Sequence, residues 1–373
     1  MNILINATNL SGGGGAQVCD SICRYLCDYP QHRFTVVLSK NLDSTAKAIK
    51  DYQNVVVEMY SCKPMDIQAF ITFRIPFLDN LVERNLIDVV YTVFGPVKWR
   101  PRCPHICGFG LSHIVMPESP YFKRMNLKEK FSWWRTIKIW EYVFRRSADI
   151  FITENPLITE RLQKKFKKKH VETITNNYNQ IFEQPERWVK HPLPKFDGLQ
   201  LLDVASFGPH KNQIIALDIA RILKVEHPKF KMRFVFTIDE NEYPFVPVDL
   251  RDYFLFTGKI SIEECPSLYS QCDIEFQPTL LECFTATFPE GMKMHLPIIA
   301  CDLDFVHGLC GDAAVYYSAL SSEDAARVIY NLANDKALQK RLINAGSKML
   351  SNFDTSCQRA YKTIRLCEMT NKV

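Results

Sequence analysis

Leu201-Leu202-Asp203-Val204-Ala205-Ser206-Phe207-Gly208-Pro209-His210-Lys211-Asn212 is the stretch on which the fold turns. A strand is expected over 201–205, then a turn carrying Gly208 and Pro209, then an amphipathic helix over 212–226. A second strand follows over 232–237. Strand, turn, helix, strand is the βαβ unit, whose two strands lie parallel. Toward the C-terminus the alternation continues. Strands are expected over 253–257, 273–276, 297–301 and 314–316, and helices over 261–270, 285–294, 323–334 and 336–352, with a last helix running to about Leu366. Toward the N-terminus the same pattern is already present. Strands are expected over 3–6, 33–38, 55–58, 89–93, 106–108, 148–153 and 171–175, with helices over 16–28 and 43–52 among them.

Between the two series, residues 180–198 carry Pro185, Pro192 and Pro194 and no clean period, which reads as a linker. The expected class is therefore α/β, with two Rossmann-like, doubly wound parallel-sheet domains facing a central cleft. The domains are placed at 1–180 and 199–352, with the linker at 181–198 and a C-terminal helix over 353–373 free to pack back on the N-terminal domain. Ligands of such sheets sit beyond the carboxyl ends of the strands, and two such edges face to face suit a group transfer between two bound molecules.

Composition excludes several classes. The 373 residues are 47% hydrophobic and 23% charged, enough apolar content for packed cores and too much for a disordered chain. No uncharged apolar run approaches the roughly 18–20 residues that span a bilayer. The start, Met1-Asn2-Ile3-Leu4-Ile5-Asn6, reads as a strand rather than a signal peptide. The 13 cysteines include no C-x-x-C pair and no zinc-finger spacing, so reduced, buried thiols are expected and no metal site. The net charge of +5 is uneven. Residues 121–146 hold eight Lys/Arg against two Glu, and 161–171 hold six basic residues and no acid, which leaves the remainder net acidic. An anionic surface or ligand near 121–171 is implied.

Three motifs can carry chemistry. Ser11-Gly12-Gly13-Gly14-Gly15 reads as a loop between strand and helix, where backbone N–H groups can approach a phosphate or sugar; a flexible turn explains it equally well. Lys211, at the turn opening the second half, can reach a diphosphate as a point charge. A solvated lysine is the plain alternative, weakened because Lys at a helix start is unfavourable without an anion. The most specific motif is Pro278-Thr279-Leu280-Leu281-Glu282-Cys283-Phe284-Thr285-Ala286-Thr287-Phe288-Pro289-Glu290-Gly291-Met292. Glu282, in a loop, can accept hydrogen bonds from sugar hydroxyls, and Glu290, on the next helix, can hold a ribose diol. Isolated glutamates are by default surface charge, but this pair flanks an apolar run, and burial would demand polar partners.

This segment resembles the E-x7-E region of retaining glycosyltransferases of family 4, which have the GT-B fold. Phe256-Thr257-Gly258-Lys259-Ile260, Leu296-Pro297-Ile298-Ile299-Ala300, Gly311-Asp312-Ala313-Ala314 and the Gly12 to Gly15 run resemble further parts of that family, over most of the chain. The resemblance implies transfer of a sugar from a nucleotide-sugar donor, with retention at the anomeric carbon and without a metal or other cofactor. It places Lys211 on the donor diphosphate, Glu290 on the ribose and Glu282 on the donor sugar. The backbone of Cys283, Phe284 and Thr285 then faces phosphate and sugar, and Gly14 and Gly15 approach the phosphate from the other half. Ser206 and Gly258 fall on donor-side turns. The chain departs from the family pattern at three points. Ser206 stands where an Arg is usual, Thr285 stands where a Gly follows Phe, and the histidine near the donor sugar has His113 as its nearest counterpart, a few residues displaced. A structural histidine is the alternative there.

In the stretch from Lys130 to Arg146, Trp133, Ile137, Trp140 and Phe144 share one helical face flanked by Arg and Lys. Two readings stand: a helix lying at an anionic membrane, where a lipid-linked acceptor would be found, or a core helix with solvated basic flanks. No nucleic-acid module accompanies it. The expected partners are a nucleotide-sugar donor and a glycan or lipid-linked acceptor, with an anionic membrane surface through 121–171. The expected place is the cytoplasm or the cytosolic face of a membrane, in cell-surface polysaccharide or lipopolysaccharide synthesis. A catalytically inactive scaffold is kept open by Ser206 and Thr285. A nucleotide-sugar oxidoreductase or epimerase lacks its dinucleotide fingerprint and its Tyr-x-x-x-Lys base.

Overall fold

Thirteen strands, all paired in parallel, form two sheets in the computed structural model, which describes residues 1–61 and 67–370. The first sheet contains β1 (Asn2–Ala7), β2 (Arg33–Leu38), β3 (Val55–Met59), β4 (Val89–Thr92), β5 (His105–Gly108), β6 (Ile150–Thr153) and β7 (His170–Thr173), in the order β3-β2-β1-β4-β5-β6-β7. The second contains β8 (Leu199–Asp203), β9 (Met232–Phe236), β10 (Phe254–Phe256), β11 (Ile274–Gln277), β12 (Ile298–Cys301) and β13 (Ala314–Tyr317), in the order β10-β9-β8-β11-β12-β13. The inner strands are apolar on both faces because helices cover both: Ile298, Ile299, Ala300 and Cys301 are all fully buried. In each sheet the order reverses once, between β1 and β4 and between β8 and β11. Such a switch point leaves a crevice at the strands' carboxyl ends, because the loops on its two sides run apart.

The chain divides into two units: residues 1–117, 126–176 and 354–373, and residues 118–125 and 177–353. The Ser356–Thr370 helix adds Ile364, Leu366 and Cys367 to the core that holds Val18, Cys19 and Ile22. Asp354 anchors the start of that helix, donating its N–H to the Thr175 hydroxyl (2.7 Å) and accepting from the Thr175 N–H (3.0 Å).

Two segments group differently from the division expected at 180. Residues 118–125 belong with the second unit, where the Ser119 hydroxyl donates to the Leu280 carbonyl (2.7 Å). Residues 177–198 also belong there, the first four expected in the N-terminal domain and the rest as the linker. The prolines keep this stretch out of the sheet, but its apolar side chains still need cover. Ile181 and Phe182 are buried, Phe182 meets Tyr269 edge-on at 5.6 Å, and the Trp188 indole donates to the Ile181 carbonyl (2.7 Å).

Twelve cysteines are described and all are free thiols; Cys62 lies outside the described residues. Burial pushes the thiols of Cys107, Cys301 and Cys367 up to about 12, so they stay protonated and behave as small apolar groups. In the Leu127–Ser147 helix, Phe144 is buried and Trp133, Ile137 and Trp140 are half-buried, so the face read from the sequence is a packed face. Among the described residues no helix is long and apolar enough to cross a membrane.

Candidate functional site

The loops leaving β8 and β11 flank the switch point of the second sheet, and most residues singled out in the sequence lie on them. The Leu280 N–H donates to the His210 carbonyl (2.7 Å), which ties the two loops together. Asn212 adopts a left-handed conformation (φ 57°) and is buried, and the helix begins only at Ile215. The helix expected from Asn212 therefore starts three residues late, and Lys211 stands in a turn, its N–H donating to the Gly208 carbonyl (2.9 Å). A left-handed residue cannot open a right-handed helix, and Asn is among the few that adopt it readily. From this turn the Lys211 ammonium reaches the Glu282 carboxylate at 2.7 Å, with both side chains only about 15% exposed (15% and 14%). Ser206 is exposed on the same loop.

Glu290 lies on the Thr287–Lys293 helix, which begins two residues later than expected. It is 4% exposed and accepts from the Tyr269 hydroxyl (3.1 Å). Burial outweighs that hydrogen bond and pushes the carboxyl up to about 7. Thr285 is buried, its hydroxyl 3.0 Å from the Thr287 hydroxyl. Cys283 is buried, and Phe284 packs edge-on to Phe353 at 5.8 Å. Gly258 follows β10 with φ 72°, a conformation that suits glycine, and its N–H donates to the Ile238 carbonyl (3.1 Å). At the root of the crevice Asp203 is 1% exposed and accepts from the Gln277 amide (3.1 Å); burial pushes it up to about 7, against the pull of the Lys211 charge. Burial and then Lys211 lower the His210 pKa.

The other predicted residues belong to the first unit. The glycine run follows β1, beside that sheet's own switch point. Gly12 (φ 153°) and Gly13 (φ 64°) make the turn, while Gly14 and Gly15 lie inside the first turn of the Gly13–Cys23 helix. The loop expected through Gly15 is thus shorter. His113 sits on the short Ser112–Val115 helix, its ring stacked on Trp133 (4.4 Å, 7°) and edge-on to Trp140 (6.4 Å). Contact with two indoles, one face-on and one edge-on, holds the ring in the manner of a packed aromatic.

Two residues of the second unit were not singled out in the sequence. Arg124, delivered by residues 118–125, donates from its guanidinium to the Asn212 side-chain oxygen, one residue from Lys211. No carboxylate pairs with it among the described residues. Glu275, on β11, is fully buried beneath the Thr287–Lys293 helix. Burial and then the charge of Glu290 push its carboxyl well up, and the Thr287 hydroxyl offsets this only in part. A Cβ placed on Gly291 would lie 1.7 Å from Glu275 Oε2, so the two residues share one space. A glutamate between Ile274 and Phe276 in a strand buried on both faces is the signal that could have found it. Among the described residues no three His, Cys, Asp or Glu side chains are grouped to hold a metal ion.

Two parallel α/β sheets of this order define the GT-B fold. Residues 186–349 match the family model described as glycosyl transferases group 1, which spans the second unit's switch point and both of its glutamates. Over whole chains, the structure is similar to a glycosyltransferase from Rickettsia africae (13% identity, 99% of this chain and 98% of that one, TM-score 0.69). It is similar to the Anabaena protein HepE in complex with UDP (15% identity, 99% and 100%, TM-score 0.69) and to sucrose-phosphate synthase from Thermosynechococcus elongatus (14% identity, 99% and 98%, TM-score 0.66). No curated protein matches the chain in sequence.

Proposed function

We propose that this chain transfers a sugar from a nucleotide-sugar donor to a glycan or lipid-linked acceptor, retaining the anomeric configuration, in cell-surface polysaccharide or lipopolysaccharide synthesis at the cytosolic side. The observation that carries the proposal is the meeting of Lys211 with Glu282 at 2.7 Å on the loops where the second sheet reverses its order, with Glu290 held by Tyr269 on the helix that follows. The family match over 186–349 and the UDP-bound relative favour this reading and favour UDP as the first nucleotide to test.

The chemistry follows from charge. A departing nucleoside diphosphate gains negative charge in the transition state, and fixed N–H dipoles with one ammonium stabilise it at low reorganisation cost. Lys211 supplies the ammonium. In the free protein it is neutralised by Glu282, so a diphosphate must draw it away, which frees Glu282 to accept from sugar hydroxyls. Glu290, poised near neutrality, accepts from the ribose diol in its ionised form. The usual second cation is missing at Ser206, and Arg124 is placed to supply it, being tied to the residue after Lys211 and unpaired by any carboxylate among the described residues.

The test is a thermal-shift screen across UDP, GDP, ADP and their sugars with Lys211→Ala and Glu290→Ala alongside, followed by assay of donor hydrolysis. A nucleotide sugar that stabilises and is turned over by the parent, and is neither bound nor consumed by Lys211→Ala, supports the assignment. A stabilising nucleotide to which both variants respond as the parent does would place its site elsewhere.

A further inference from the structure

The Leu127–Ser147 helix carries a second apolar stripe that the first unit does not cover. Leu127 (84% exposed), Phe131 (65%) and Trp134 (56%) fall at i, i+4 and i+7, on a different side from Trp133, Ile137, Trp140 and Phe144. The Phe131 and Trp134 rings stack at 5.9 Å and 24°, so these two present one aromatic surface, with Leu127 one turn before Phe131. Single exposed apolar residues need no explanation, but a contiguous ridge of this size does.

The polar rim is cationic. Lys128, Lys130 and Arg135 are exposed beside the stripe, and among the described residues no carboxylate pairs with any of them. Glu129, the only acid in the first turn, is occupied in the capping box with Asn126. The other acid of the helix, Glu141, is buried and held by Lys138 (3.2 Å) and Lys165 (2.6 Å). An aromatic ridge rimmed by unpaired cations complements a surface that is apolar inside and anionic at its edge. A second copy of the chain fits poorly, because a symmetric dimer on this face would set the same cations against one another.

We propose that this face docks on an anionic lipid bilayer, with Leu127, Phe131 and Trp134 entering the headgroup boundary and Lys128, Lys130 and Arg135 meeting lipid phosphates. The helix lies along the surface and does not cross it, in keeping with its charge. The inference is independent of the donor chemistry.

The experiment is co-sedimentation of the full chain with vesicles of phosphatidylcholine alone and of phosphatidylcholine mixed with phosphatidylglycerol. Binding to the anionic vesicles alone is expected, weakening severalfold between about 50 and 500 mM salt. The double variant Phe131→Ser/Trp134→Ser is expected to lose about tenfold or more in partitioning. Lys128→Glu/Lys130→Glu/Arg135→Glu is expected to lose the preference for phosphatidylglycerol. Val225→Ser, at an equally exposed apolar site of the second unit, should bind as the parent does. All variants should melt with the parent, since the altered positions are exposed. Undiminished binding by the double variant, equal binding to neutral vesicles, or no vesicle binding would overturn the proposal. So would a dimer that the double variant abolishes, or capture of a single-stranded oligonucleotide in preference to vesicles.

Discussion

Gly291→Ala tests the packing beneath the site most sharply. The added Cβ would fall 1.7 Å from Glu275 Oε2 and 2.9 Å from its Cδ, where an ordinary contact is about 3.5–4 Å. Glu275 cannot retreat into solvent: it is fully buried, and β11 is held by β8 on one side and β12 on the other. Its carboxyl must adopt a strained rotamer or the helix must shift, at a cost of about 1–3 kcal/mol for overpacking. Alanine recovers about 1 kcal/mol of helix propensity, so a net destabilisation of up to about 2 kcal/mol is expected. With Glu275→Ala in place the obstruction is gone, and the same Gly291→Ala change should be neutral or stabilising by up to about 1 kcal/mol. The coupling between the two sites is then about 2 kcal/mol, well above the scatter of independent positions. Urea unfolding of the four proteins measures it, read from the transition of the second unit. An equal effect of Gly291→Ala in both backgrounds would show that Glu275 does not occupy the space above β11.

Three further predictions concern charge. Glu290 titrates near 7 in the free protein, and a ribose diol favours the ionised form, so nucleotide affinity should rise with pH from about 6 to 8 and then level; Glu290→Gln should flatten the calorimetric profile. Arg124→Ala should weaken nucleotide binding by about tenfold in titration calorimetry, as expected for one lost charge-assisted contact. Ser206→Arg in that background should restore much of it, and no loss in Arg124→Ala would refute the assignment of Arg124 to the diphosphate. Asp203 is held near 7 in the fold against about 4 unfolded, so it costs stability as pH rises through 4 to 7 and the cost is complete above 7. Asp203→Asn keeps the acceptor for Gln277 and should therefore stabilise the protein by about 2–4 kcal/mol at pH 8 and much less at pH 5, measured by urea unfolding.

Much of the architecture was legible because strand and helix periods differ. β2 emerged with the bounds read from the sequence, 33–38, since charged and polar residues punctuate a continuous apolar run. Departures arose where local propensity met a tertiary constraint. The Gly13–Cys23 helix begins three residues before the first good helix former, in a run whose glycines favour a loop. The helix expected at Asn212 waits for Ile215 because Asn212 is left-handed and tied to Arg124 and to the Ala319 carbonyl. For the candidate site, Lys211, Glu282 and Glu290 stand out by spacing, as they lie within or beside recognisable turns, and the structure brings Lys211 to Glu282. Arg124 could not, since nothing in the order of residues says that 118–125 folds onto the second sheet. The packed stripe of the Leu127–Ser147 helix was visible as a period. That a second stripe stays uncovered depends on what surrounds it, which no period reports.

The most direct measurement is titration calorimetry of UDP against the parent protein and against Lys211→Ala at pH 8. A single site is expected in the parent, weakened by about a hundredfold when the ammonium is removed, because a diphosphate would then face Glu282 without its counter-charge. Equal affinity in the two proteins, for a nucleotide the parent demonstrably binds, would contradict it.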